Sequence, residues 1–84
     1  MSLINLREDV GLQLHLSRSG HQVTAIMALQ GMHTCVAHCE ARDASATTSG
    51  IPLLRVGSAS FSLSFSHLRE AAEILGLPID GGCA

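Results

Sequence analysis

From Val10 onward hydrophobic and polar positions alternate: Val10, Leu12, Leu14 and Leu16 fall on one side of an extended chain, and Gly11, Gln13, His15 and Ser17 on the other. That period of two predicts a half-buried β-strand. The segment Ser17–Gly20 supplies turn chemistry, and from Gln22 the alternation resumes with Val23, Ala25, Met27 and Leu29 on one face, so the two runs read as a β-hairpin. A second turn at Gln30-Gly31 leads into a run from His33 to Arg42, where Cys35, Ala37 and Cys39 oppose Thr34, Val36, His38 and Glu40. This run reads as a third strand. Its composition leaves a helix open across Ala25–Arg42, which is rich in Ala, Met, Leu and Gln. Against the helix stand Gly31 in mid-segment and the β-branched Val23, Thr24, Ile26, Thr34 and Val36.

Residues 43–50 are small and polar without apparent periodicity and are expected to form a mobile loop. Leu53–Val56 predicts a short strand, after which Ala59, Phe61, Leu63 and Phe65 alternate with Ser58, Ser60, Ser62 and Ser64, the clearest period-two signal in the chain. A helix is predicted over 66–76, with Ser66 as N-cap, Leu68, Ala71, Ala72 and Leu75 on one face, Gly76 as the left-handed terminating residue and Pro78 blocking continuation. Residues 1–9 fit either an extended arm or a short helix, and residues 79–84 read as a flexible tail.

The fold class that follows is α+β: one domain over 1–84, an antiparallel β-meander of four to five strands within 10–65, and one C-terminal α-helix packed on one face. Phe61, Phe65, Leu68, Leu75, Leu12, Leu14, Leu16, Val23 and Met27 are the expected core. The stretch Leu68–Pro78 resembles the first helix and turn of helix-turn-helix DNA-binding proteins. Such proteins read DNA with a second helix after that turn, and the chain ends six residues beyond Pro78, so the resemblance implies no DNA-binding function for it.

Composition sharpens this picture. The chain has 84 residues, of which 46% are hydrophobic and only 14% charged, which excludes disorder and predicts one modest core. Five scattered arginines, no lysine and a net charge of −2 provide no footprint for nucleic acid, and Phe61 and Phe65 are too few for base stacking. No apolar run approaches the roughly 20 residues of a membrane span, so no membrane partner is expected. Three cysteines, Cys35, Cys39 and Cys83, make an odd set that does not read as a secreted disulfide framework; the expected setting is a reducing cytoplasm.

Candidate chemistry concentrates in His33, Cys35, His38 and Cys39, whose side chains are the ligands zinc prefers. On a helix, Cys35, His38 and Cys39 would share a face; on a strand, Cys35 and Cys39 stand roughly 13 Å apart and His38 points away. Zinc is thus the one cofactor suggested, and otherwise none is expected. No nucleophile elbow or phosphate-binding glycine loop is present, so the chain is not expected to be an enzyme.

Two candidate interaction surfaces remain. One is the serine face, Ser58, Ser60, Ser62 and Ser64, on a strand that offers an uncharged surface for pairing. The other is the far side of the first three strands, with His15, Thr24, Ile26 and Val36. One short helix covers part of one sheet face, so the expected function is a small cytosolic, non-catalytic protein–protein interaction or regulatory module, self-associating as a homodimer. The alternatives are a metal-binding or redox-sensing protein using Cys35, His38 and Cys39, a small-molecule-binding module with His15 and His38 at a dimer cleft, and a phage- or mobile-element-type inhibitor.

Overall fold

A computed structural model describes residues 2–80. Four strands form the first sheet in sequence order: β1 (Ser2–Arg7), β2 (Leu12–Ser19), β3 (Gln22–Leu29) and β4 (Met32–Glu40), all antiparallel. The predicted meander is therefore present, and the Ala25–Arg42 segment is strand rather than helix up to Glu40. β1 resolves the ambiguity at the N-terminus in favour of the extended arm, with Ile4 opposite Leu14. The β3–β4 hairpin closes through Gln30 and Gly31, both at positive φ (52° and 82°), the conformation that matches a two-residue turn to the twist of its strands.

The second half of the chain adds a smaller sheet, β5 (Ala44–Thr47), β6 (Leu53–Val56), β7 (Ala59–Ser62) and β8 (Ile79–Asp80), in the order β7-β6-β5-β8. Two expectations are corrected here. The predicted mobile loop 43–50 contains β5, because Ala44 and Ala46 are buried while Ser45 and Thr47 face the other way; alanine carries the alternation too weakly to mark it in the sequence. The predicted flexible tail 79–84 begins with β8, whose Ile79 pairs in parallel with Ala46. The rest of that tail, including Cys83, lies outside the described residues.

The helix α1 spans Phe65–Leu75. Its N-cap is Ser64, not Ser66: the Ser64 hydroxyl accepts the His67 backbone N–H at 3.3 Å. Phe65 is consequently on the helix and 54% exposed instead of joining the core. After Leu63 successive side chains turn by 100° rather than 180°, so Phe65 leaves the face shared by Phe61 and Leu63 and lies beneath the Arg69 guanidinium, 5.9 Å from its ring centroid. At the other end Gly76 is left-handed (φ 65°), its N–H donating to the Glu73 carbonyl and that of Leu77 to the Ala72 carbonyl, as predicted for a glycine-terminated helix.

The two halves meet on one side of the large sheet. Ile4, Leu14, Leu16, Val23, Ala25 and Ala37 share a single core with Leu68, Ala71, Ala72 and Leu75 of α1 and with Ala44, Ala46, Leu54, Val56, Phe61 and Leu63. α1 lies across β1 and β2, while β6 lies against β3 and β4. Of the other residues expected in the core, Met27 packs half-buried against it, whereas Leu12 is half-buried outside it and lines a surface cavity. Arg18 ties the layers together by donating from Nη1 to the Leu75 carbonyl at 2.6 Å, so a cation meets the negative end of the helix.

Three substitutions test this arrangement by thermal unfolding. Arg18→Met keeps the side-chain stem but removes the donor and is expected to destabilise by about 1–2 kcal/mol. Ser64→Ala is expected to cost about 1 kcal/mol, whereas Ser66→Ala leaves the melting temperature nearly unchanged; the reverse order would relocate the cap.

Candidate functional site

Strand period decides the fate of the predicted metal ligands. Cys35 and Cys39 align with Met27 and Val23 and face inward against the core. His38 aligns with Thr24 on the opposite side of the sheet, where the Thr24 hydroxyl and His38 Nδ1 lie 3.0 Å apart. His33 also lies on that outer side. The set His33, Cys35, His38 and Cys39 is thus divided between the two faces of β4 and does not converge. Among the described residues no group of three or more His, Cys, Asp or Glu side chains is arranged to hold a metal ion.

The position of His33 depends on a β-bulge. Ala28 pairs with His33 while Met27 pairs with Cys35, so Thr34 is the extra residue of β4, and its hydroxyl donates to the Met27 carbonyl at 3.2 Å. The bulge returns His33 to the side occupied by Val36 and His38, which simple alternation along the sequence assigns to the opposite face.

The second predicted surface is assembled by the register. Leu3, His15, Ile26 and Val36 form one transverse row across β1, β2, β3 and β4. Asn5, Gln13, Ala28 and His33 form the next row on one side, and Ser17, Thr24 and His38 lie on the other. No carboxylate or guanidinium belongs to these rows. The charges at the strand ends are paired locally, Arg7 with Asp9 at 2.8 Å and Glu40 with Arg42 at 2.9 Å. Val36 is 63% and Leu3 45% exposed, while His15, Thr24 and Ile26 are half-buried among their neighbours. Both α1 and the smaller sheet lie on the other side, so none of the described residues covers this outer face.

Sequence reasoning found His15, Thr24, Ile26 and Val36 through alternation but missed Leu3 and His33. Leu3 was hidden by the ambiguity of residues 1–9; its signal was the alternation of Leu3 and Asn5 with Ile4. No sequence signal marked the bulge that places His33.

The serine surface is only partly formed. Ser60 and Ser62 are exposed on β7, the end strand of the smaller sheet, whereas Ser58 lies in the preceding turn and Ser64 is occupied as the helix cap. With four residues, β7 is a short edge, the form that limits pairing with another chain. A cavity of about 240 Å³ is lined by Leu6, Arg7, Leu12, Ser62, Leu63, Ser64 and His67. It falls below the roughly 300 Å³ at which small-molecule sites begin.

Burial pushes the Cys39 thiol above its ordinary range; the Gly57 backbone hydrogen bond opposes this, and the negative charges of Asp43 and Glu40 add to it. These surroundings disfavour the thiolate that nucleophilic or redox chemistry needs. Cys35 and Cys39 are both free thiols.

No family model matches the chain, and neither a curated protein nor a solved structure matches it. No helix among the described residues is long and apolar enough to cross a membrane.

The Cys39 environment yields a pH prediction. With the folded thiol held above its unfolded value, the unfolded chain ionises first as pH rises, so this contribution to stability is complete below the ordinary thiol range and is lost above it. Between about pH 8 and 10 the melting temperature of the native chain should fall more steeply than that of Cys39→Ala; equal slopes would contradict the assignment.

Proposed function

We propose that the chain is a small non-catalytic interaction module that acts as a homodimer in a reducing, cytoplasmic setting, with the outer face of the β1–β4 sheet as its self-association surface. One observation carries this reading: a transverse row of Leu3, His15, Ile26 and Val36 lies in the middle of an outer face whose three central rows hold no acid or arginine, Glu40 standing only at the margin of the face. A wet sheet face ordinarily carries charge, whereas the centre of an interface is depleted of it.

Self-association is favoured over an unlike partner by symmetry and size. Because the face is uncharged and its charged ends are internally paired, two copies meet about a two-fold axis without like-charge repulsion. Four strands of about eight residues give a footprint of roughly 500 Å². That is below the roughly 800 Å² per partner of a standard interface, which places the dimer among the weaker, reversible ones. Free thiols at Cys35 and Cys39 suit a reducing compartment.

Sedimentation velocity across a concentration series tests the proposal. The native chain should pass from monomer to dimer at micromolar concentrations, and Val36→Glu, which adds charge at an exposed site, should weaken association by at least about tenfold without lowering the melting temperature. Ile51→Glu, at an apolar residue that is 67% exposed outside these rows, should leave it unchanged. A native chain that stays monomeric, or equal effects of the two substitutions, would overturn the reading.

A further inference from the structure

The sequence pairs His33 with its neighbours along β4, but the fold gives it a different partner. The ring centroids of His33 and His15 are 6.5 Å apart, with the planes inclined at 56°. The two residues stand on β4 and β2, with β3 between them, and strands two apart are separated by roughly 9.6 Å. Both rings therefore lean inward over β3. The residue of β3 paired with His33 is Ala28, which is only 2% exposed although α1 and the smaller sheet lie on the other face. An alanine methyl leaves room above it for the rings to approach; a longer side chain would fill that space.

We propose that His15 and His33 form a two-imidazole half-site for a divalent transition-metal ion of the zinc, nickel and copper class, and that two copies of the chain share one ion. Imidazole nitrogens bind such ions at about 2.0–2.1 Å, which places the centroids of two rings on one tetrahedral ion roughly 5 Å apart. The observed pair is wider by about 1.5 Å, a distance of the order that a change of side-chain torsion spans, and His33 is exposed. The ligand type selects the metal: neutral nitrogen donors with no carboxylate on the same rows suit zinc, nickel or copper and not calcium or magnesium.

One chain supplies two ligands and a tetrahedral site takes four, so a second His15–His33 pair brought by the dimer completes it. This part rests on the outer face being the self-association surface. His15 lies in the central row on a central strand, where a two-fold axis through the middle of the face passes close by. Metal binding and dimerisation then reinforce each other, since the complete ligand set exists only in the dimer.

Zinc alone, titrated into the metal-free native chain by calorimetry and followed by sedimentation velocity, tests the proposal. The expected result is one zinc per two chains and dimerisation tightened by roughly tenfold or more. His33→Ala and His15→Ala should both abolish these effects; His15→Gln retains more side-chain volume and guards against a folding defect. His38→Ala, on the same face but held by Thr24, should leave zinc binding intact. Undiminished binding in the His15 and His33 variants overturns the half-site. A metal-free dimer that takes up no zinc overturns it while sparing the proposed function, whereas one zinc per chain with no dimer at any concentration overturns both the shared ion and the self-association surface.

Discussion

A sheet of four long strands has two faces, and here every element after β4 is placed against one of them. The inner side of β1–β4 needs two separate covers, α1 over β1 and β2 and the smaller sheet over β3 and β4, because an eleven-residue helix is too narrow to span four strands. Leu14, Leu16, Val23 and Ala25 are wholly inaccessible to solvent as a result. The division of side chains follows the covers: leucines on β2 meet the helix, while Ala25 and Ala37 on β3 and β4 leave room for β6. What remains is an outer face that no layer of the described residues covers.

The joints between layers are local and polar. Arg18 reaches from β2 to the last carbonyl of α1, and Gly76 turns the chain just beyond it so that Ile79 joins Ala46 as the end strand of the smaller sheet. An alanine Cβ at position 76 would stand 3.3 Å from the Arg18 guanidinium in a backbone conformation that L-residues rarely adopt. The end of the helix, the clasp onto the large sheet and the start of β8 therefore depend on a few adjacent residues.

Much of this was legible in the sequence, and the misses have physical causes. β2, β3 and α1 carried strong periodicity because leucine and valine mark a buried face clearly, and burial of Leu68, Ala71, Ala72 and Leu75 followed from helical spacing. β5 was read as a mobile loop because Ala44 and Ala46 are buried under larger neighbours without being strongly hydrophobic themselves. Phe65 was misplaced because the chain changes from strand to helix two residues before the serine that looked like its cap. The histidine–cysteine cluster was legible as a list of ligands but not as a geometry: strand alternation separates Cys35 and Cys39 from His38, and the extra residue Thr34 moves His33 to the side where His15 stands. Register across strands, which no local pattern reveals, made that pairing.

The proposed dimer places a second copy of the chain over the outer face of the large sheet. An isotope-filtered nuclear Overhauser experiment on a mixture of labelled and unlabelled chains observes that contact directly. Intermolecular signals are expected among the methyl groups of Leu3, Ile26 and Val36 and none from Ile51. Intermolecular signals confined to other surfaces, or none at concentrations where the chain is fully associated, would contradict it.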